Sequence, residues 1–219
     1  MSKKNFSWLF FALLVFLAAV PVADDLNIVH TGIVRAVMTS WLLVIGVWSL
    51  RGFGRRFVAG IVLVVAGIAL NLIAARTGSP LAQSGALAAL LGFLLVATWC
   101  LSSQIIGDPE ISLNRLIGAV SLYLMLGVAW AIAYLFVEMH HPGSFSGLTL
   151  QPDEGWSSAW LYFSFVTMTT LGYGDIVPVS ATARTLAYLQ AIFGLFYIAI
   201  LVASLVGTYI SERQSTSRR

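Results

Sequence analysis

The chain has 219 residues, of which 59% are hydrophobic and 10% are charged, and its formal net charge is +3. A composition this apolar excludes a soluble globular domain and predicts an integral membrane protein surrounded by lipid. The single cysteine, Cys100, excludes an intrachain disulfide and a cysteine-based metal site. The basic residues stand at the borders of apolar segments, where membrane orientation accounts for them, so we expect no nucleic-acid partner.

The first apolar segment, residues 6–22, follows Lys3 and Lys4. Its length is near the lower limit for crossing a hydrocarbon core of about 30 Å. Residues 1–23 are therefore either a retained first span or a cleaved signal peptide. We favour the retained span because Pro21 spoils the cleavage site that the neighbouring alanines would offer.

Three further apolar segments, residues 33–50, 57–75 and 81–101, are each long enough to span a membrane. Short turns separate them, which predicts antiparallel neighbours. Small residues recur at helical spacing in the last two of these segments and favour close helix packing in lipid. The segment 81–101 has no basic residue, whereas steep voltage sensing requires several charges in one helix. We therefore expect residues 1–101 to form a four-helix membrane domain that does not sense voltage.

The second half of the chain begins with a polar linker, residues 102–115, which we expect to be cytoplasmic. A fifth span, residues 116–137, follows it. Residues 159–168 are apolar but too short to cross the membrane, so they predict a re-entrant helix. The sixth span covers residues 183–210, and a short cytoplasmic tail, residues 211–219, comes last. The predicted fold is all-α, with six transmembrane helices and a re-entrant helix and loop between the last two.

A glycine-containing run lies between the re-entrant helix and the sixth span, and it reads Thr169-Thr170-Leu171-Gly172-Tyr173-Gly174-Asp175. A backbone that points successive carbonyls at one axis needs left-handed conformations, which only glycine adopts without penalty. Gly172 and Gly174 supply such positions. The Thr170 hydroxyl adds a hard oxygen of the kind that alkali cations prefer. The run is therefore suited to presenting oxygen atoms to a cation.

The run resembles the selectivity filter of tetrameric potassium channels, in which four T-V-G-Y-G loops replace the hydration shell of K⁺ with carbonyl oxygens. Leu171 stands where the familiar version has valine. The resemblance covers residues 116–210, which look like the pore domain of that family: outer helix, pore helix, filter and inner helix. It implies a K⁺-selective channel that needs no cofactor, with K⁺ as the permeant ion. The K⁺ ligands that it implies are the Thr170 hydroxyl and the backbone carbonyls of Thr170, Leu171, Gly172 and Tyr173.

The resemblance also assigns roles around the filter. Asp175 matches the acidic residue that follows the filter in this family and would lie at the outer mouth. Gly194 stands where the family often has a hinge glycine, and a small residue at a helix contact is the alternative. Because one chain supplies one filter segment, a pore must be a closed ring, and the resemblance implies a homotetramer. The candidate pore-helix residues are Trp160, Phe163, Val166 and Thr169.

The sixth span carries an apolar stripe at every fourth position, formed by Ile198, Val202, Val206 and Ile210. Residues at this spacing lie on one face of a helix. Two interpretations are open. The stripe lines the central cavity and an apolar constriction that gates by dewetting, or it faces lipid.

The distribution of basic residues predicts the orientation. With a cytoplasmic amino terminus, nine of the twelve basic residues lie on the cytoplasmic side. Both termini of this multi-pass protein of the cell membrane are then cytoplasmic, and the filter opens outward. The tail is too short for a ligand-binding domain, so any ligand control would need a separate regulatory subunit. The nine residues are Lys3, Lys4, Arg51, Arg55, Arg56, Arg115, Arg213, Arg218 and Arg219.

Other functions stay open at this point. A weakly selective cation channel would share the fold, and a non-conducting membrane scaffold would share the composition. A secondary transporter would show internal repeats and broken helices, but the first half of the chain contains no second filter run. No Ser/His/Asp, H-E-x-x-H or Walker-type constellation occurs, so we expect no enzyme.

Overall fold

A computed structural model describes residues 6–26, 55–107, 113–148 and 157–217. The predicted second span, residues 33–50, lies outside these ranges. Within them, the elements in chain order are α1 (Ser7–Asp25), α2 (Arg55–Thr77), α3 (Pro80–Gly107), α4 (Leu113–His140), β1 (Phe145–Ser146), α5 (Ser158–Met168), β2 (Val177–Pro178) and α6 (Ala181–Ser217).

The helices match the pattern that the apolar segments predict. Four segments are long and apolar enough to cross a membrane, and they lie within α1, α3, α4 and α6. α2 contains the shorter apolar segment Val58–Ala74, at the position of the predicted third span. α5 has 11 residues and corresponds to the predicted re-entrant helix. The chain therefore has the fold of an all-α membrane protein.

Two helices extend beyond the predicted apolar spans. α3 continues into the predicted linker, and α6 continues through most of the predicted tail. The hydroxyls of Ser102 and Ser103 both donate to the carbonyl of Trp99, at 2.9 and 2.8 Å. Bonds of this kind satisfy polar side chains within a helix. A fall in hydropathy therefore marks the end of the apolar segment rather than the end of the helix.

Helix α1 packs against α4 and α5. Its buried side chains lie on one face and join the apolar core: Leu9, Leu13, Phe16 and Val20. Hydrogen bonds attach both of its ends. The backbone N–H of Phe6 donates to Oδ1 of Asn114 at 2.8 Å, and the backbone N–H of Ser158 donates to Oδ2 of Asp24. α1 is thus fixed to the helices that flank the glycine-containing run.

Helix α5 packs against both α4 and α6, and a buried aromatic cluster holds its amino-terminal half against α4 and β1. The rings of Tyr134 and Phe163 meet edge to face with centroids 4.8 Å apart, and those of Phe145 and Trp160 do so at 5.3 Å. Edge-to-face contacts are a favoured arrangement of aromatic rings. The cluster joins α4, β1 and α5, so it fixes where α5 enters the fold.

A small antiparallel sheet connects the segments on either side of α5. β1 pairs with β2 so that Phe145 lies opposite Pro178 and Ser146 lies opposite Val177. The carbonyl of Ser144 also accepts a hydrogen bond from the N–H of Val179 at 2.7 Å. The chain that leaves the glycine-containing run is therefore attached to the loop that follows α4.

Candidate functional site

The backbone of the glycine-containing run alternates in handedness. Thr170, Gly172 and Gly174 have positive φ angles of 59°, 58° and 81°. A Cβ atom at Gly172 or Gly174 would meet no other atom within 4 Å, so the backbone angle and not the space requires glycine there. The sequence predicts the two glycine positions, but not Thr170, which is the one non-glycine residue with positive φ in the described ranges. Alternation of this kind turns successive carbonyls toward the same side.

The last turn of α5 holds the start of this run. The N–H groups of Leu171 and Gly172 donate to the carbonyl of Val166 at 2.9 and 3.4 Å, and the N–H of Thr170 donates to the carbonyl of Thr167 at 3.0 Å. The Thr169 hydroxyl donates to the carbonyl of Phe165 at 2.7 Å. Carbonyls that end a helix lack intrahelical partners, so the run satisfies them. The carboxyl-terminal end of α5, with its partial negative charge, therefore lies at the start of the run.

Tyr162 on α5 supports the far end of the run. Its hydroxyl donates to Oδ2 of Asp175 at 2.6 Å, and its ring stacks on that of Tyr173 with centroids 6.4 Å apart and an interplanar angle of 3°. The hydrogen bond from Tyr162 holds the pKa of the Asp175 carboxyl below its ordinary value. Asp175 is therefore ionised at neutral pH, which places a negative charge directly after the run.

Sequence reasoning did not single out Tyr162. The sequence does contain a signal for this role, because Tyr162 is the one tyrosine among residues 159–168. The sequence predicts four pore-helix residues. Of these, Trp160 and Phe163 lie in the buried aromatic cluster. Val166 and Thr169 contribute the carbonyl and the hydroxyl described above. These four residues therefore anchor the helix and the start of the run, and Tyr162 reaches Asp175 at the carboxyl-terminal end of the run.

The loop that follows α4 and contains β1 packs against Asp175. Gly147 has a positive φ of 88°, and a Cβ atom there would lie 1.8 Å from the carbonyl oxygen of Asp175. The Glu138 carboxylate accepts hydrogen bonds from the N–H groups of Gly143 and Phe145, at 2.8 and 3.2 Å. A carboxylate that binds two backbone N–H groups fixes the loop strongly. The carboxyl-terminal end of the run is therefore closely packed against an anchored loop.

Helix α6 passes close to the end of α5. A Cβ atom at Gly194 would lie 2.2 Å from the carbonyl oxygen of Met168, so Gly194 occupies a tight helix contact. Ile198 and Val202 are exposed in the single chain, at 43% and 51%. Val206 and Ile210 belong to α6 by position, but their side chains lie outside the described part of the structure.

Much of the run and of α6 has no protein neighbour within one chain. Leu171 and Tyr173 are 56% and 68% exposed. Large apolar side chains point outward along α6, among them Leu189, Ile192, Phe193, Leu195, Phe196 and Ile200. A helix that is apolar around most of its circumference is buried by lipid or by further protein. In the described residues no group of three or more His, Cys, Asp or Glu side chains could hold a metal ion. The oxygen atoms that the run itself offers are its backbone carbonyls and the side-chain oxygens of Thr169, Thr170, Tyr173 and Asp175.

Residues 122–211 match a family model described as an ion channel. The chain is 35% identical over 89 residues to the inward rectifier potassium channel Kirbac3.1 of Paramagnetospirillum magnetotacticum, covering 39% of this chain and 26% of that protein. It is 33% identical over 108 residues to the potassium voltage-gated channel subfamily A member 5 of Mus musculus, covering 48% and 16%. It is 36% identical over 101 residues to the two pore potassium channel a of Oryza sativa subsp. japonica, covering 46% and 26%.

The similarity thus spans about a quarter or less of the length of these relatives. The family model begins within α4 and extends through α5 and the glycine-containing run into α6. No solved structure is significantly similar to the chain.

Proposed function

We propose that this chain is a member of the potassium-channel family and that it conducts K⁺ passively and selectively across the cell membrane through a homotetrameric pore. One observation carries the proposal: left-handed backbone at Thr170, Gly172 and Gly174, held by the carbonyl of Val166. Members of the family are ion channels and not enzymes. Below, the filter means residues 170–174, the pore helix means α5 and the inner helix means α6.

Conduction in this proposal rests on exchange of ligands. The backbone carbonyls of Thr170, Leu171, Gly172 and Tyr173, with the Thr170 hydroxyl, replace water around K⁺ as it passes. K⁺ is the permeant ion and not a resident cofactor. The ionised Asp175 carboxylate at the outer mouth attracts cations toward the filter. The apolar stripe of the inner helix lines the cavity below the filter and gates it by dewetting.

Assembly follows from the exposure of the filter. An ion must be coordinated from all sides, and one chain supplies one filter segment, so a ring of copies is required. Four copies are the number that the family implies. The outward apolar side chains of the inner helix fit a surface that is covered by neighbouring copies, by the cavity and by lipid.

In this proposal, residues 116–210 form the pore domain, and the amino and carboxyl termini are both cytoplasmic. Residues 1–101 form the amino-terminal membrane domain, which does not sense voltage. α1 has a second role within this scheme, because it packs on α4 and the pore helix. This contact supports a retained first span, since the pore domain would lose part of its apolar core without α1.

The test is the reversal potential of the purified protein in bilayers with opposed K⁺ and Na⁺ gradients. We expect a value near the K⁺ equilibrium potential for the natural chain and loss of this preference in Gly172→Ala, because a methyl group disfavours positive φ. Gly78→Ala is the matched control: Gly78 has φ of 62° and open space around its Cα, but it lies in the turn between α2 and α3. It should retain K⁺ preference.

The outcomes separate the alternatives. Equal K⁺ and Na⁺ permeation by the natural chain would indicate a weakly selective cation channel, and absence of any current would indicate a scaffold. Retained K⁺ preference in Gly172→Ala would contradict the assignment of the filter.

A further inference from the structure

A chain of buried hydrogen bonds joins three helices behind the filter. Nε2 of Gln190, on the inner helix, donates to Oγ of Ser164 on the pore helix at 2.7 Å. Oγ of Ser164 donates in turn to the carbonyl of Gly127 on α4 at 2.7 Å. The Tyr134 hydroxyl, also on α4, donates to Oε1 of Gln190. Tyr134, Ser164 and Gln190 are fully buried.

Each member of this hydrogen-bond network has a matching donor or acceptor. The tyrosine hydroxyl donates, the glutamine amide accepts at its oxygen and donates at its nitrogen, and the serine hydroxyl does both. Buried polar groups are costly in an apolar interior unless they are paired, and this holds with more force at membrane depth. A network in which each member has a partner fixes one arrangement of the helices that carry it.

The network lies next to the part of the pore helix that carries the filter. Ser164 precedes Val166, whose carbonyl binds the N–H groups of Leu171 and Gly172, by two residues. One helical turn beyond Gln190, Gly194 meets the carbonyl of Met168, which is one turn beyond Ser164. The inner helix therefore touches the pore helix at two points that are one turn apart on both helices. Two such points oppose both sliding and rotation of one helix on the other.

Close backbone approach supports the same joint from the side of α4. A Cβ atom at Gly127 would lie 2.5 Å from the ring of Phe165, so α4 and the pore helix are in direct contact beside Ser164. The apolar side chains around the joint could pack in several registers, whereas hydrogen bonds specify one. A leucine at position 190 would fill similar space without specifying that register.

We propose that Gln190 is a positioning residue that couples the inner helix to the filter, by fixing the pore helix through Ser164 and Tyr134. This inference rests on the proposed K⁺ conduction. A displacement of the inner helix then reaches the filter through Gln190 and Ser164. Gln190 does not touch the permeating ion.

The first test measures the K⁺ to Na⁺ permeability ratio of Gln190→Leu and Ser164→Ala. We expect a ratio at least about tenfold lower in each, the factor that corresponds to one buried hydrogen bond, because each variant removes the bond between Gln190 and Ser164 and one further bond of the network. The reduction in the double variant should fall short of the product of the two single reductions, because both single variants remove the bond between Gln190 and Ser164. Tyr197→Phe is the matched control, because its hydroxyl donates to the carbonyl of Ala119 at 2.6 Å and so this bond links the inner helix to α4 rather than to the pore helix. It should keep the natural ratio.

The second test separates positioning from space filling. In Gln190→Glu, the carboxyl group can donate to Ser164 only while it is protonated. Between about pH 5 and pH 8, above the range in which Asp175 titrates, this variant should lose selectivity as the pH rises. Tyr134 of α4 is the titratable side chain that faces position 190 in the described structure, and the pore helix presents the Ser164 hydroxyl there. The natural chain and Gln190→Leu should not show this dependence.

The outcomes of the two proposals can be told apart. If the natural chain does not select K⁺, the proposed function fails. If the natural chain selects K⁺ while Gln190→Leu and Ser164→Ala keep its permeability ratio, or if Gln190→Glu shows no pH dependence of its own, the role of Gln190 is refuted. Size-exclusion chromatography of each variant checks that assembly is unchanged.

Discussion

The carboxylate of Asp24, near the end of α1, accepts a hydrogen bond from the backbone N–H of Ser158, the first residue of the pore helix. The first N–H groups of a helix lack intrahelical partners, and a negative charge at this end also interacts favourably with the helix dipole. The residue in the N-cap position, Ser157, makes no capping bond, and its hydroxyl is buried without a partner. A residue 134 positions away in sequence therefore provides the cap that Ser157 does not.

We predict that Asp24→Ala lowers the free energy of unfolding by about 1 kcal/mol, the typical contribution of a helix cap. Asp24→Asn keeps an acceptor oxygen and should cost less. The measurement is denaturant-induced unfolding of the protein in detergent, followed by tryptophan fluorescence.

Ser158→Pro is the partner variant for this prediction. Proline is well tolerated at the first position of a helix, and the preceding Ser157 already has the extended backbone that proline requires, with φ of −136° and ψ of 164°. The substitution therefore removes the N–H donor and leaves the helix intact. In the Ser158→Pro background, Asp24→Ala should have little further effect. A full effect of Asp24→Ala in that background would contradict the cap.

The hydrogen bond from Tyr162 to Asp175 sets how far the pH must fall before the Asp175 carboxylate is protonated. Because this bond lowers the pKa of Asp175, the ionised interaction is complete above the ordinary carboxyl range and is lost only as the pH falls through the lowered value. In Tyr162→Phe, the pKa of Asp175 should return toward its ordinary value. Protonation of the Asp175 carboxylate, and with it the loss of its negative charge, should then begin at a higher pH than in the natural chain.

The measurement for Tyr162→Phe is the pH titration of the Asp175 carboxyl by ¹³C NMR, with K⁺ flux recorded over the same range. Tyr188→Phe is a suitable control because Tyr188 is an exposed tyrosine of the inner helix, at 55%. An unchanged titration of Asp175 in Tyr162→Phe would show that the hydrogen bond does not set its pKa.

The helices could be predicted from sequence because long apolar segments have few alternatives in lipid. Gly172 and Gly174 could be predicted because glycine adopts positive φ without the steric cost that other residues incur. Tyr162, Gln190 and Asp24 could not, because their roles depend on partners 13, 26 and 134 residues away. A single polar residue in an apolar segment does not reveal its partner.

Thr170 shows that local backbone preference can also predict the wrong conformation. Its positive φ of 59° is uncommon for a β-branched residue, so local preference argues against it. The tertiary structure imposes it, since the neighbouring N–H groups are bound to the last turn of the pore helix. Propensity alone assigns left-handed backbone only to the glycines of the filter.

Gly194 allows a test that separates a hinge from a packed contact. A Cβ atom there would lie 2.2 Å from the carbonyl oxygen of Met168, two residues before the filter, so Gly194→Ala must displace backbone. We predict that it destabilises the protein by about 1–3 kcal/mol, the usual cost of overpacking, and lowers the K⁺ to Na⁺ permeability ratio. Gly92→Ala is the control, since a Cβ atom at Gly92 would lie 3.8 Å from Leu63 in ordinary contact. It should be neutral or slightly stabilising, because alanine has the higher helix propensity. If Gly194 served only as a hinge, Gly194→Ala would change the open probability and leave both stability and selectivity as in the natural chain.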